Sequence, residues 1–270
     1  MNDPQHLVAN ARMYAVSPAV EAAWEKVFAF VAARSGIPLH PLRYPAPAPL
    51  EALWARPDLG AVFMCGLPFA RSDPAPTLVV APLPRRWNNQ PVYATDLVVR
   101  SDSRFRKLED TFGGRIGWTV EHSQSGFNAL RHHLARHARS GPLYRESVGP
   151  LLTPRNAIAA VLKGRVDLAP LDGYFHELAQ QNEPALVRDL RVIATTDPTP
   201  IPPLVTSAAL DPPALETLRQ AFLATSVAPE LAPVLQALAL QGFARVLPQD
   251  YRLLLDREAQ ATLLNYPEIA

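Results

Sequence analysis

The densest chemistry in this chain lies in the turn Ser123-Gln124-Ser125-Gly126. It follows a short apolar run at residues 115–120 and opens a helical pattern at about Phe127. Two hydroxyls and the leading N–H groups of a helix meet there, with the positive end of the helix dipole behind them. Such a corner suits an oxyanion: phosphate, phosphonate, sulfate or carboxylate. Ser is also a favoured helix N-cap, and that is the commoner meaning of such a turn taken alone.

Other polar residues carry two readings each. Asp172 follows a buried apolar run and precedes Gly173. It is either a carboxylate at the C-terminal end of a strand, where open α/β sheets place ligands, or a turn and cap residue. Arg155 opposes the dipole in the first turn of a helix, which is consistent with an anion partner and equally with a surface position. Tyr14 ends a first strand and either faces a ligand or packs; Ser17 reads as an N-cap. His133 and His137 share a helix face, yet the segment is His-Leu-Ala-Arg-His, without the Glu of a zinc-protease motif. With His132, Arg131, Arg136 and Arg139 beside them, a solvated basic face is expected and no metal site. Gly113-Gly114 lacks the Lys-Ser/Thr of a phosphate loop. Cys65, the single cysteine, ends an apolar strand and reads as buried and structural. Trp87 stands in the polar loop Arg85-Arg86-Trp87-Asn88-Asn89, as a rim or lid residue.

Composition narrows the classes. The 270 residues suffice for one large domain or two lobes, and 48% hydrophobic against 19% charged residues marks a globular chain. A formal net charge of +1 points to neither nucleic acid nor a membrane surface. One cysteine allows no internal disulfide and no structural zinc framework. Neither a signal-peptide pattern at the N-terminus nor a membrane-spanning run is present. As written the chain reads as cytoplasmic; removal of a leader would make it periplasmic.

These residues need a scaffold, and the pattern supplies an interrupted one. Strand and helix alternate from Leu7 to Leu83, with a helix entered through Ser17-Pro18 and closed by Gly36, as expected of a sheet with mainly parallel strands. An extended run covers residues 92–100. A second α/β block then restarts: helix 107–112, strand 115–120, helix 127–139, strand 144–148, helix 153–163, strand 166–171, helix 174–181 and strand 190–195. A strand at 204–210, helices at 212–225 and 228–241, and a mixed tail follow. The tail is expected against the first block. Proline clusters at 74–91 and 198–213 flank the central block, as crossings between lobes would. The expectation is an α/β protein of two lobes, each a mixed sheet flanked by helices. The first lobe takes residues 1–95 and 203–270, and the second, residues 96–202, is inserted. A hinged cleft between the lobes is the favoured ligand site.

At this point the chain resembles a known family. The Ser-x-Ser-Gly turn, the helix Asn156-Ala157-Ile158-Ala159-Ala160-Val161-Leu162-Lys163-Gly164 and the run Val166-Asp167-Leu168-Ala169-Pro170-Leu171-Asp172 stand in the order of the phosphonate-binding ABC-transporter substrate-binding proteins, which have the type 2 periplasmic-binding-protein fold. Met64-Cys65-Gly66-Leu67-Pro68 resembles that family's Thr-Cys-Gly-Tyr-Pro turn, and Tyr93–Arg100 its hinge strand. The resemblance covers roughly residues 12–248. It implies an oxyanion held by Ser123, Gln124, Ser125 and Gly126, a ligand amine held by Asp172, and cleft aromatics at Tyr14 and Tyr93. Two positions depart. Leu67 replaces the turn tyrosine, and Pro154 replaces an imidazole donor, leaving Thr153 to cap and Arg155 to supply charge.

The function so implied is capture of a small oxyanion for an ABC-type uptake system, with no catalysis and no cofactor. Its partners would be the small anion and an ABC permease, with no nucleic acid and no membrane insertion. The competing expectation is a cytoplasmic enzyme of the cofactor-precursor type, or a ligand sensor, on the same scaffold. No catalytic constellation supports the enzyme.

Overall fold

The computed structural model describes residues 7–88, 90–138, 141–207 and 210–270. The ends of two expected elements, at Arg139 and at residues 208–210, fall wholly or partly outside them, as do Met1–His6 and Asn89. The chain packs as two units. The first comprises Met1–Val92 and Pro200–Asp250, and the second Tyr93–Thr199 and Tyr251–Ala270.

The first unit is built on a six-stranded sheet. Its order is Leu240–Ala244, Thr77–Pro84, Leu204–Thr206, Leu59–Phe63, Leu7–Asn10, Leu39–Pro41. The expected parallel character holds for the last three strands. Leu204–Thr206 and Leu240–Ala244 run antiparallel to their neighbours, so the sheet is mixed. The first helix, Pro18–Ser35, begins and ends where its punctuation placed it. Ser17 accepts from the Val20 N–H at 3.2 Å, and Gly36 closes it at φ 70°, a left-handed conformation that glycine adopts without steric cost. Trp24 packs edge-on to Phe63, with ring centroids 5.0 Å apart. Gly66-Leu67-Pro68, expected as a turn, opens a short helix, Gly66–Arg71; Leu67 and Cys65 are buried there.

In the second unit the strands Leu190–Thr195, Thr95–Arg100 and Ala169–Asp172 pair antiparallel. A single parallel bridge, Ile116 to Leu168, attaches the parallel pair Arg115–Gly117 and Glu146–Val148. Helices Pro154–Leu162 and Gly173–Asn182 flank this mixed sheet. Arg115 and Asp167 are bound through three contacts: the Arg115 N–H to Oδ2 at 2.8 Å, Nε to Oδ2 at 3.2 Å and Nη2 to Oδ1 at 3.1 Å.

The last twenty residues correct the expected lobe boundaries. The helix Arg252–Leu263 and the segment after it pack on the second unit, not the first. Ala261, Tyr266 and Ile269 are buried in one cluster with Leu130, Leu134, Tyr144 and Leu168. The helix face expected to be basic and solvated is the reason. Arg131 is buried and donates to the Glu258, Pro267 and Tyr266 carbonyls at 2.8, 3.1 and 3.3 Å, and to the Thr262 hydroxyl at 3.3 Å. His132 lies 3.0 Å from the Gln260 amide oxygen. Burial pushes the imidazoles of His132 and His133 below their usual value. Among the described residues no group of three potential ligands could hold a metal ion.

Candidate anion site

The helix after the Ser turn starts three residues earlier than its pattern suggested, and as a π turn, Gln124–Asn128, before the α-helix Ala129–Ala135. The Asn128 N–H donates to the Ser123 carbonyl at 3.0 Å, one residue beyond the α spacing. Ser123 is a true N-cap: its Oγ accepts from the Gly126 N–H at 2.9 Å. That bond leaves the hydroxyl proton of Ser123 for another acceptor. Single π turns inside helices recur at functional sites.

Gln124 is fully buried, and its amide oxygen accepts from Asn128 Nδ2 at 2.8 Å. The same Asn128 nitrogen donates to the Leu254 carbonyl at 3.0 Å, so these two side chains anchor the turn to the tail helix. Gly126 is required sterically. A Cβ there would stand 1.8 Å from Thr119 Oγ1, and the Thr119 N–H donates to the Gly126 carbonyl at 3.2 Å.

Ser125 is half-buried and faces Asp172, with Oγ 3.5 Å from Oδ2, at the outer limit of hydrogen bonding. Its carbonyl accepts from Thr95 Oγ1 at 3.1 Å. Asp172 is 8% exposed and caps the helix Gly173–Asn182, with Oδ1 accepting from the Tyr174 and Phe175 N–H groups at 2.9 and 3.0 Å. The cap reading of Asp172 is therefore realised through one oxygen, while the other is turned to Ser125. The strand pairing brings them together, because Thr95 is opposite Asp172 in the ladder.

The remaining expected residues are placed less directly. Thr153 caps the helix Pro154–Leu162, accepting from the Asn156 N–H at 3.2 Å. Its approach is tied to the turn through Thr119, whose carbonyl accepts from the Leu152 N–H at 3.1 Å. Arg155 is exposed and ion-paired with Glu183. Tyr93 is 1% exposed at the start of the second unit. Tyr14 belongs to the first unit, where it is buried edge-on to Phe63 at 5.0 Å; its strand ends at Asn10, and a 3-10 turn, Arg12–Tyr14, carries it inward. Trp87, expected at a rim, is half-buried, with the Arg86 guanidinium 5.2 Å from its ring centre.

Reading the sequence left out Thr95, Asp96 and His176. Asp96 and His176 are buried and bonded, His176 Nδ1 lying 2.8 Å from Asp96 Oδ2. The available signal for His176 was its place four residues after Asp172, on the same helix face.

A family model described as "ABC transporter, phosphonate, periplasmic substrate-binding protein" matches residues 14–251. No curated protein matches the chain. Among solved structures, it is similar to a binding protein component of an ABC phosphonate transporter from Pseudomonas aeruginosa, at 16% identity and a TM-score of 0.79, covering 96% of this chain and 87% of that one. PhnD1 from Prochlorococcus marinus, solved in complex with methylphosphonate, gives 14% identity and a TM-score of 0.80 over 96% of this chain and 99% of that one. The alkanesulfonate-binding protein SsuA from Xanthomonas axonopodis, bound to MOPS, gives 20% identity and a TM-score of 0.57, covering 95% of this chain and 85% of that one. These likenesses bear out the type 2 periplasmic-binding-protein fold.

Proposed function

The chain belongs to the phosphonate ABC-transporter periplasmic substrate-binding protein family, and from that premise we propose that its second unit captures a small oxyanion at the 123–126 turn. Phosphonate and phosphate head the candidates. The observation that carries this reading is the juxtaposition of Ser125 Oγ and Asp172 Oδ2 at 3.5 Å, on a turn that also opens a helix. A carboxylate alone would repel an anion. Beside two hydroxyls and a helix start, it suits a ligand that joins an anionic head to a cationic or protonated group.

The roles divide as follows. Ser123 donates its hydroxyl proton to the anion, and Ser125 turns its own from Asp172 Oδ2 to the anion when the ligand is present. The first N–H groups of the turn and its dipole add positive potential, since the leading N–H groups of a helix have no intrahelical acceptor. Asp172 receives an ammonium or a protonated ligand oxygen. Thr153 follows Leu152, whose N–H donates to the Thr119 carbonyl next to the turn, while Arg155 is engaged by Glu183. Tyr14 and Tyr93 serve the fold of their own units in the present packing. The protein delivers its ligand to an ABC permease in the periplasm and carries out no reaction on it. Among the described residues no helix is long and apolar enough to cross a membrane.

Titration calorimetry with methylphosphonate, inorganic phosphate, sulfate and acetate tests the proposal. At least one of the phosphorus anions binds, and Ser125→Ala weakens it about ten- to a hundredfold, the worth of one hydrogen bond to a charged group. Absence of heat with every anion, or unchanged affinity in Ser125→Ala, overturns it.

A further inference from the structure

The strand Thr95–Arg100 sends two successive side chains to the two halves of the candidate site. Thr95 Oγ1 holds the Ser125 carbonyl at 3.1 Å. Asp96, with no exposed surface, holds His176 at 2.8 Å and accepts from Thr195 Oγ1 at 2.9 Å. A second tie comes from Thr196, whose Oγ1 accepts from the Thr95 N–H at 3.0 Å. His176 is 3% exposed and sits in the first turns of the helix that Asp172 caps. Facing a carboxylate oxygen, its Nδ1 is the donor, and Nε2 lies 3.3 Å from the Gln180 amide nitrogen.

A buried polar pair contributes little net stability compared with an apolar pair of the same volume. Its effect is geometric. The ladder sets Asp96 opposite Leu171 and Thr95 opposite Asp172, so the strand already fixes the root of the helix. At the junction itself the Gly173 N–H donates to the Ala94 carbonyl at 2.9 Å. The His176 bond, four residues on, adds a side-chain tie from the same strand one turn further along the helix.

We propose that the Asp96–His176 pair is the positioning element of the anion site. It fixes the start of the helix Gly173–Asn182, and with it Asp172 Oδ2, against the Ser125 turn. The inference rests on the reading of the 123–126 turn as that site. Neither residue touches the ligand.

The test compares Asp96→Val/His176→Leu, which removes the pair without orphaning a charge, with His176→Asn, whose side-chain amide can still donate to Asp96. Leu178→Ala, a buried truncation on the same helix, is the packing control. Two readouts are taken: affinity for methylphosphonate and for phosphate, and amide exchange of Tyr174 and Phe175 relative to Leu134. In the double variant the two cap amides exchange about tenfold faster and affinity falls about tenfold, the loss of one well-placed bond. His176→Asn restores both to within about threefold of the parent, and Leu178→Ala lowers the melting temperature while moving neither. Unchanged cap exchange in the double variant, or an equal change in Leu178→Ala, overturns the proposal. Should the double variant not fold, Asp96→Asn/His176→Phe, which keeps the Thr195 bond and removes the tie to the helix without orphaning a charge, is read the same way. If the unaltered protein binds none of the anions, the anion reading falls, and the cap amides still decide the positioning claim.

Discussion

Replacing Arg131 by Met should release the tail from the second unit. The guanidinium makes four contacts, three to backbone carbonyls, all to residues 258–267. The two shortest, to Glu258 and Pro267 at 2.8 and 3.1 Å, are well formed. Hydrogen bonds to charged groups are worth about 1.5–3 kcal/mol each, so these two alone carry roughly 3–6 kcal/mol. Methionine fills similar space and avoids desolvating a cation, which returns part of that sum. A net loss of about 2–4 kcal/mol remains, because the carbonyls lose their donor in a buried place. At roughly 3–4 °C per kcal/mol, the second unit then melts about 10 °C lower. Differential scanning calorimetry measures the shift, and limited trypsin digestion at Arg252 and Arg257 reports the tail. A melting temperature within about 2 °C of the parent, with the tail equally protected, would refute the assignment of the tail to this unit.

Two further outcomes follow from the same contacts. Ser123→Ala removes a cap bond as well as a proposed ligand donor, so it lowers stability by about 1 kcal/mol in chemical denaturation, whereas Ser125→Ala does not; equal stabilities would contradict the cap geometry. Asp167 is raised by burial, but its bonds to Arg115 outweigh that and hold the carboxyl below its usual value. A carboxylate depressed in the fold stabilises above its unfolded value, near 4, and loses that contribution as pH falls through the folded value. Asp167→Asn should flatten the decline of melting temperature with acid below about pH 4, and an unaltered acid limb would count against the pair.

Local punctuation was legible in the sequence; long-range partners were not. Ser17-Pro18 with Gly36, Thr153 with Pro154, and the strand Leu190–Thr195 were readable because caps and β-rich runs act over a few residues. The Ser turn was legible as a place but not as a shape. Its π turn goes with an inward Asn128 that donates both to Gln124 and to the Leu254 carbonyl, 126 residues along the chain. Periodicity alone therefore put the helix start at Phe127. The antiparallel half of the first sheet was hidden because strand direction depends on where the chain returns. Arg131 looked like a solvated residue, since nothing near it in sequence announces four acceptors more than 120 residues away. Asp96 and His176 are 80 residues apart and form no motif. Asp172 and Ser123 satisfied their bland reading, as caps, without losing the oxygen or proton that the anion reading needs.

The reach of residues 251–270 into the second unit also sets an order of events during synthesis. The chain emerges from its N-terminus at the ribosome and again at an export channel, and domains fold as their residues become available. The first unit has its full complement once Asp250 has emerged, although its residues come in two instalments. The unit with the Ser turn must wait, because Arg131, Asn128 and the Leu130 cluster all take partners from the last segment. For the whole time between residues 199 and 270 its helix Ala129–Ala135 presents an uncovered apolar and cationic face. The half of the molecule proposed to recognise the ligand is thus the half that matures last.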